Sequence, residues 1–350
     1  MKEKVVLGIS GGVDSSVAAA LLQKQGYEVI GLTIKTVSVP DEAFVPAVDG
    51  REVCNALGIK HIVLDVSEKF KKSVIDYFAQ SYMDGETPNP CVMCNREVKF
   101  DSLLMCADQI GAQHIATGHY AKTHFNELTG RYSLMRSKAG KKDQTYMLYN
   151  LKQEQLSRFI TPLSEYDKPT VRAMAADMGL MTSDKPDSQE NCFIPPDINY
   201  VDYIRKNYNY TPVPGNFIDT KNNVIGTHKG IIYYTIGQRK GLGQSFGEPV
   251  FVLNINPADN TVTLGKKGEE FMQSAIIGKT NFTAITEPDS AIEVYAKVRY
   301  AAPPSKAVLE PLGGGLYRVT FDEPQRAVTK GQSIVFYDEE LLLGGGIIQD

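Results

Sequence analysis

Tryptophan is absent from these 350 residues, and cysteine is scarce, with five in all. The lack of Trp removes one kind of interface anchor and excludes nothing else. Five thiols (Cys54, Cys91, Cys94, Cys106 and Cys192) are too few and too scattered for a disulfide framework. In a reducing compartment, close cysteine spacing points instead to metal binding or catalysis. No apolar run approaches the ~18 residues that a membrane span needs, so no membrane partner is expected. Met1-Lys2-Glu3-Lys4 leads straight into an apolar strand without a cleavage-type segment, and a cytosolic location is expected. Neither sign of charge dominates: 37 Lys+Arg against 41 Asp+Glu leave −4. That balance excludes a binder driven wholly by positive charge, though not a local basic face.

What is present suffices for proper cores: 42% of residues are hydrophobic and 22% charged, which excludes wholesale disorder and fibrous repeats. The length implies two or three domains. Val5 to Ile9 reads as a buried strand, and Ser15 to Gln25 as a helix with Val17, Ala18, Leu21 and Leu22 inward, ended by Gly26. Strands at Glu28–Ile34, His61–Leu64 and His114–Thr117 alternate with helices near Gly50–Leu57, Glu68–Tyr82 and Lys99–Ile110. This alternation predicts an α/β domain with a doubly wound parallel sheet. Residues 142–209 read as helices with polar loops. Past the linker-like Thr211-Pro-Val-Pro-Gly215, short β-branched runs alternate with turn signals. A break near Glu270–Lys279 divides that half into two small all-β domains, the last barrel-like. The expected division is 1–209, 210–272 and 273–350.

Ser10-Gly11-Gly12-Val13-Asp14-Ser15-Ser16 lies between the first strand and the first helix. Glycines let the backbone turn its N–H groups toward an anion, the serines add hydroxyl donors, and the helix start adds a favourable dipole. The Lys of a Walker A loop is missing, as is the spacing of a dinucleotide site. An ordinary Gly-rich turn needs neither the hydroxyls nor the Asp, so a polyphosphate site is the better reading. The string resembles the pyrophosphate loop of the N-type ATP pyrophosphatases. That resemblance implies cleavage of ATP between its α- and β-phosphates, an adenylated intermediate, and Asp14 helping to hold Mg²⁺.

Pro88-Asn89-Pro90-Cys91-Val92-Met93-Cys94-Asn95 precedes a predicted helix, so both thiols fall at or near its N-terminus, where a thiol pKa is lowered. Cys192 sits in a polar loop ending in Pro195-Pro196, where a partner can reach it. Cys54 and Cys106 lie on apolar helix faces and read as core residues. Cys91, Cys94 and Cys192 suit two chemistries: a redox pair that carries and resolves a persulfide, or a three-thiol site for a [4Fe–4S] cluster with one open iron.

From end to end the landmarks resemble the tRNA-specific 2-thiouridylases of the MnmA family. They are Gly8-Ile-Ser-Gly-Gly-Val-Asp-Ser15, Cys94-Asn95-x-x-Val98-Lys99-Phe100, Ala116-Thr-Gly-His-Tyr120, Lys142-Asp-Gln144 and Asp187-Ser188. They continue with Cys192-Phe193-Ile194, Gly237-Gln-Arg-Lys-Gly-Leu-Gly243, Val298-Arg-Tyr300, Gly331-Gln332-Ser333 and Gly344-Gly-Gly-Ile-Ile348. The resemblance implies an adenine nucleotide alpha-hydrolase-like fold and sulfuration of the wobble uridine of glutamine, glutamate and lysine tRNAs. ATP would adenylate the C2 oxygen, and persulfide sulfur from a cysteine desulfurase or relay protein would then displace AMP. By motif position, ATP contacts fall on Gly8, Ile9, Ser10, Gly11, Gly12, Val13, Asp14, Ser15, Ile34 and Gly118. The persulfide carrier matches Cys192, the second catalytic cysteine Cys94, and the target-base loop Asn89, Pro90 and Cys91. The tRNA contacts match His119, Lys142, Asp143, Gln144, Arg299, Tyr300 and Gln332.

Two departures stand out. Many members have an acid/base Asp where this chain has Cys91, which completes the three-thiol set and favours the cluster route. Residues 37–48 replace a longer acidic segment, so the rim of the nucleotide pocket can differ. Apart from the resemblance, Arg136, Lys138, Lys141 and Lys142 form a basic group, and Arg239-Lys240 lies between glycines. Arg299-Tyr300 pairs a phosphate-seeking group with a stacking aromatic. The rival readings are an ATP pyrophosphatase that amidates its adenylated substrate, and a nucleotide- or cluster-binding sensor without chemistry.

Overall fold

The computed structural model describes residues 2–180 and 191–350. The Asp187-Ser188 landmark lies outside the described residues. In chain order the first layer comprises β1 (Lys4–Gly8), α1 (Val13–Lys24), β2 (Glu28–Lys35), α2 (Val45–Leu57) and β3 (Lys60–Asp65). α3 (Ser67–Phe70) passes through a π-helical turn (Lys71–Ile75) into α4 (Asp76–Met83). Likewise α5 (Pro90–Cys94) passes through a second π turn (Asn95–Lys99) into α6 (Phe100–Ile110), which leads to β4 (His114–Ala116). After β5 (Lys122–Asn126) and β6 (Arg131–Met135) come α7 (Thr145–Leu148), α8 (Gln153–Ser157), β7 (Phe159–Ile160), α9 (Lys168–Asp177) and α10 (Tyr200–Tyr208).

Five strands form a parallel sheet in the order β3-β2-β1-β4-β7. β1 carries Val5, Val6 and Leu7 in succession, all fully buried, because helices cover both faces of a parallel sheet and leave no polar side. Chain order reverses direction between β1 and β4, and ligands of doubly wound sheets bind outside the strand ends at such a switch point. The loop after β1 and the residues after β4 therefore face one crevice.

The second half is all β. β8 (Gly215–Ile218), β9 (Val224–His228), β10 (Val250–Asn256) and β11 (Thr261–Lys266) form a four-stranded sheet around Phe217, Val252, Val262 and Leu264. β12 (Phe271–Phe282), β13 (Ile292–Lys297), β14 (Ser305–Gly313), β15 (Leu316–Arg326), β16 (Ser333–Asp338) and β17 (Leu341–Ile348) close into a barrel through the β12–β17 pairing. Within the 270–279 stretch where a break is expected, β12 begins at Phe271. Only a short turn before Phe271 separates the two sheets, since the β-branched run of β12 is spent on pairing with β15 and β17.

The barrel is not an appendage. The β5–β6 hairpin, which the sequence reading missed, leaves the α/β domain and joins the barrel sheet beside β17. On β16, Ile334 and Phe336 point into the barrel, whereas Val335 and Tyr337 belong to the core shared with Tyr146, Tyr149 and Leu342. A strand buried on both faces reads as a continuous apolar run, as β16 does. Hydrogen bonds cross the seam: Tyr146 OH donates to Ser333 O at 2.8 Å, and Asn281 Nδ2 donates to Tyr149 O at 2.8 Å.

Candidate active site

The loop Gly8–Ser15 wraps over the N-terminus of α1 at the switch point. Gly11 has φ +70°, and a Cβ there would lie 2.1 Å from Asp49 Cβ, so the loop needs glycine for both conformation and space. A Cβ on Gly118 would lie 2.8 Å from Ser15 N and 2.9 Å from Asp14 C. Gly118 thus lets the end of β4 pass directly against the loop. Ser15 and Ser16 hydroxyls donate to Gly12 O at 3.1 and 2.8 Å, closing the first turn of the helix. Behind the loop, Thr33 Oγ1 donates to Ile9 O at 2.8 Å and pairs with His61 Nε2, also at 2.8 Å. Burial, aided by Arg51, lowers the His61 pKa and keeps that imidazole neutral. The pocket rim expected to differ at 37–48 is tied down by Lys35, whose ammonium reaches Asp41 and Asp65 at 2.8 and 3.0 Å.

Asp14 leads to two residues that the loop motif does not contain. Lys168 Nζ, at the start of α9, lies 2.8 Å from both carboxylate oxygens, and Tyr120 OH donates to Oδ1 at 2.6 Å. Tyr120 is itself fixed by Gln144, whose Oε1 accepts Tyr120 N at 2.9 Å while Gln144 N donates to Tyr120 O at 2.8 Å. A cation absent from the loop sequence is therefore supplied by packing of α9 on α1. Asp167-Lys168-Pro169-Thr170 carries no signal beyond a helix start, with Asp167 as its N-cap. Asp14 is a hard oxygen donor of the kind Mg²⁺ takes, and a metal there would share the carboxylate with Lys168 and Tyr120.

Asn89 caps α5, its Oδ1 accepting Cys91 N at 3.0 Å and Val92 N at 3.4 Å. The helical run starts at Pro90 and continues unbroken past Cys94, so Cys94 lies near the helix start but beyond its first turn. Burial pushes its thiol up to about 12, and Lys99 opposes that rise only in part. This corrects the expectation of a lowered pKa: the dipole acts within the first turn, and desolvation dominates beyond it. Cys91 and Cys192 are exposed. Crowding around the Cys192 sulfur, together with Cys91, raises its pKa too. Phe193, next to Cys192, lies edge-on to Phe70 at 6.0 Å and to Phe78 at 5.1 Å. It shares an apolar cluster with Cys94 and with Ile34 at the end of β2. One apolar cluster thus links the end of β2 to Cys94 and to the residue next to Cys192.

Among the described residues no group of three or more His, Cys, Asp or Glu side chains is arranged to hold a metal ion. Cys91, Cys94 and Cys192 are all described, and in this structure they do not form such a group.

Of the residues assigned to tRNA, several make their bonds within the protein. His119 Nδ1 pairs with Thr117 Oγ1 at 2.7 Å, its ring stacks on Phe100, and burial together with Lys99 holds it neutral. Asp143 accepts from Ser137 N at 2.9 Å and Thr145 N at 3.2 Å, organising its own loop, and burial raises its pKa. Gln332 Nε2 donates to Thr87 O at 2.9 Å and Pro88 O at 3.2 Å, so the barrel grips the segment leading to Asn89-Pro90-Cys91. Lys142 is exposed at the end of a 3₁₀ turn. Arg299 Nη1 donates to Arg326 O at 2.8 Å. Tyr300 meets Tyr146 edge-on, and Lys297 lies over both rings at 5.7 and 5.9 Å. Lys297, unflagged by sequence, has its pKa lowered by burial and Arg136.

Three family models match in succession: the tRNA methyl transferase HUP domain over residues 3–196, the tRNA methyl transferase PRC-barrel domain over 202–266, and the aminomethyltransferase beta-barrel domain over 272–348. Among curated proteins, the tRNA-specific 2-thiouridylase MnmA of Clostridioides difficile strain 630 is 48% identical, covering 100% of this chain and 99% of that protein. The protein of the same name from Clostridium beijerinckii is 50% identical over 100% and 99% of the two chains. That from Clostridium perfringens strain 13 is 49% identical over 99% of each. At 48–50% identity over essentially the full length of such relatives, and with the HUP-domain model matched over residues 3–196, this chain belongs to the MnmA family of tRNA-specific 2-thiouridylases.

Proposed function

We propose that this chain is an ATP-dependent tRNA-uridine 2-sulfurtransferase acting on the wobble uridine of glutamine, glutamate and lysine tRNAs in the cytoplasm. The observation that supports the reading is that Ile34, assigned to the nucleotide by motif position, packs against the same apolar cluster as Cys94 and as Phe193, the neighbour of Cys192. An enzyme that activates a carbonyl with ATP and replaces its oxygen with thiol-borne sulfur needs that adjacency. The first step is attack of the uridine O2 on the α-phosphorus of ATP, breaking the bond to pyrophosphate. Backbone N–H groups of Gly8–Ser15 and the α1 N-terminus bind the phosphates, and Lys168 supplies positive charge there. Mg²⁺, held by Asp14, would draw charge from the departing pyrophosphate. Gly118 and Ile34 bound the nucleotide.

In the second step the terminal sulfur of a Cys192 persulfide attacks C2 and AMP leaves. Cys94 thiolate then attacks Cys192 Sγ, which frees the thiocarbonyl and leaves a Cys94–Cys192 disulfide for an external thiol to reopen. Lys99, bonded to Asn95 Oδ1 at 2.9 Å, is the cation that favours the Cys94 thiolate. Asn89, Pro90 and Cys91 border the target base, which an anticodon loop can turn out at low cost. His119, Lys142, Asp143, Gln144, Arg299, Tyr300 and Gln332 form or brace the tRNA face. The working units are 1–209, 210–272 and 273–350, and a cysteine desulfurase or relay protein delivers the sulfur. The test incubates the enzyme with ATP, unmodified tRNA and a persulfide donor, measuring AMP, pyrophosphate and 2-thiouridine together. All three should appear, and Cys94→Ser and Cys192→Ser should each abolish 2-thiouridine. Undiminished turnover in both variants would indicate an amidating enzyme, and absence of AMP a sensor.

A further inference from the structure

A second cleft, of about 650 Å³, lies between the four-stranded sheet and the barrel, and shares no residue with the nucleotide crevice or the thiol loop. Its rim carries cations from three segments: Arg239 and Lys240 from the loop before β10, Lys267 from the turn before β12, and Arg326 at the end of β15. Its floor is aromatic, with Phe251 buried and Phe271 46% exposed. The one carboxylate in the lining, Glu270, is buried and already compensated, accepting Gly268 N at 2.6 Å and pairing with Arg326 Nε at 3.3 Å. Among the described residues Arg239, Lys240 and Lys267 make no ion pair, so their charge is offered to solvent in a chain whose total is −4.

The loop is held in shape. Gly237 N donates to Val252 O at 2.7 Å, Val252 N to Gln238 O at 2.9 Å, and Gln238 Nε2 to Lys240 O at 2.9 Å. Arg326 lies 5.4 Å over the Phe251 ring, and its carbonyl accepts the guanidinium of Arg299. Arg299 thus holds the backbone of one cleft-lining residue. Exposed cations on separate segments, flanking an open aromatic and lacking a convergent buried donor, suit a row of phosphates better than one small anion.

We infer that this cleft is a second RNA subsite that holds the sugar–phosphate backbone of the tRNA away from the reacting base, an inference that rests on the proposed tRNA substrate. The test is a triple variant, Arg239→Gln with Lys240→Gln and Lys267→Gln, leaving Arg326 in place because Glu270 depends on it. Binding of unmodified tRNA is measured between 50 and 200 mM salt, on the order of the range where counterion release is read. The slope of log K against log[salt] should shrink by about 2–3, at about 0.7–0.9 for each phosphate no longer neutralised. At saturating tRNA, kcat and the KM for ATP should match the parent. A control triple variant at Lys24, Lys72 and Lys221 should leave the slope unchanged. An unaltered slope in the cleft variant, or an equal loss in the control, overturns the inference. Should the triple variant fold poorly, Lys267→Gln alone should lower the slope by about 1. If the parent enzyme itself neither binds tRNA nor releases AMP, the proposed function fails instead, whereas an active parent with an unaffected variant sinks only the subsite.

Discussion

Lys168→Met removes a cation that no loop motif contains. In the folded chain Lys168 Nζ lies 2.8 Å from both oxygens of Asp14. The side chains are 12% and 30% exposed. At that distance and an effective dielectric of ~20 the attraction is about 6 kcal/mol gross. Desolvation of both ions consumes most of it, and breaking such a pair costs about 3–5 kcal/mol only when burial is complete. With Tyr120 still donating to Asp14, the expected stability loss is about 2 kcal/mol, read by urea titration. The catalytic loss should be larger, since a cation aimed at developing phosphate charge contributes about 10²–10³ in rate. The assay is pyrophosphate release at saturating ATP and tRNA. Adding Asp14→Asn should recover stability, the double variant being less damaged than the sum of the singles by about 1–3 kcal/mol, without recovering rate. A kcat for Lys168→Met within about threefold of the parent would refute a role for this ammonium at the phosphates, since it corresponds to less than about 1 kcal/mol.

Burial raises the Cys94 thiol to about 12. Thiolation rate under single-turnover conditions should therefore climb with pH through ~9 without levelling, and Lys99→Met should lower it throughout. The same shift bears on stability: an acid whose pKa is higher in the folded chain stabilises below its unfolded value near 8.5, and that contribution is lost as pH rises toward 12. Alkaline melting curves should accordingly steepen above pH ~9 in the parent and less so in Cys94→Ser. Gly118→Ala, whose Cβ would press on backbone atoms of Asp14 and Ser15, should raise the KM for ATP at least ~10-fold in isotope-exchange assays, since the loop cannot yield without losing its shape. Gln332→Leu removes two bonds to the Thr87 and Pro88 carbonyls and should cost about 1–2 kcal/mol of stability and slow thiolation. Its equilibrium affinity for tRNA, by filter binding, should change less than twofold, about 0.4 kcal/mol.

Local signals carried much of the fold. The phosphate loop was legible because glycines, hydroxyls and an Asp between a strand and a helix have few other uses, and the parallel sheet because its strands are apolar without alternation. Non-local packing was not legible. Lys168 looks like any residue at a helix start, and only α9 lying on α1 brings it to Asp14, 154 positions away. The grip of Gln332 on Thr87 spans 245 positions. The hairpin at 122–135 had a period-2 pattern and a turn ending in Gly130, so the strand pattern of that stretch was there to be found. Cys94 misled for a different reason: Pro90 announces a helix start, but not that a π turn lets the helix run on while the thiol packs against the cluster of Phe70, Val74 and Val98.

The hairpin seam limits how such a gene can be cut or recombined. A chimera that exchanges only the last eighty or so positions, by the bounds of β12–β17, would set a foreign strand edge against the native β6 and foreign side chains on Tyr146 and Tyr149. Inheritance of the tail is thereby coupled to inheritance of 122–149. Functional crossovers between relatives should carry both stretches from the same parent, and stop codons placed before Phe271 should yield insoluble product instead of a crippled enzyme.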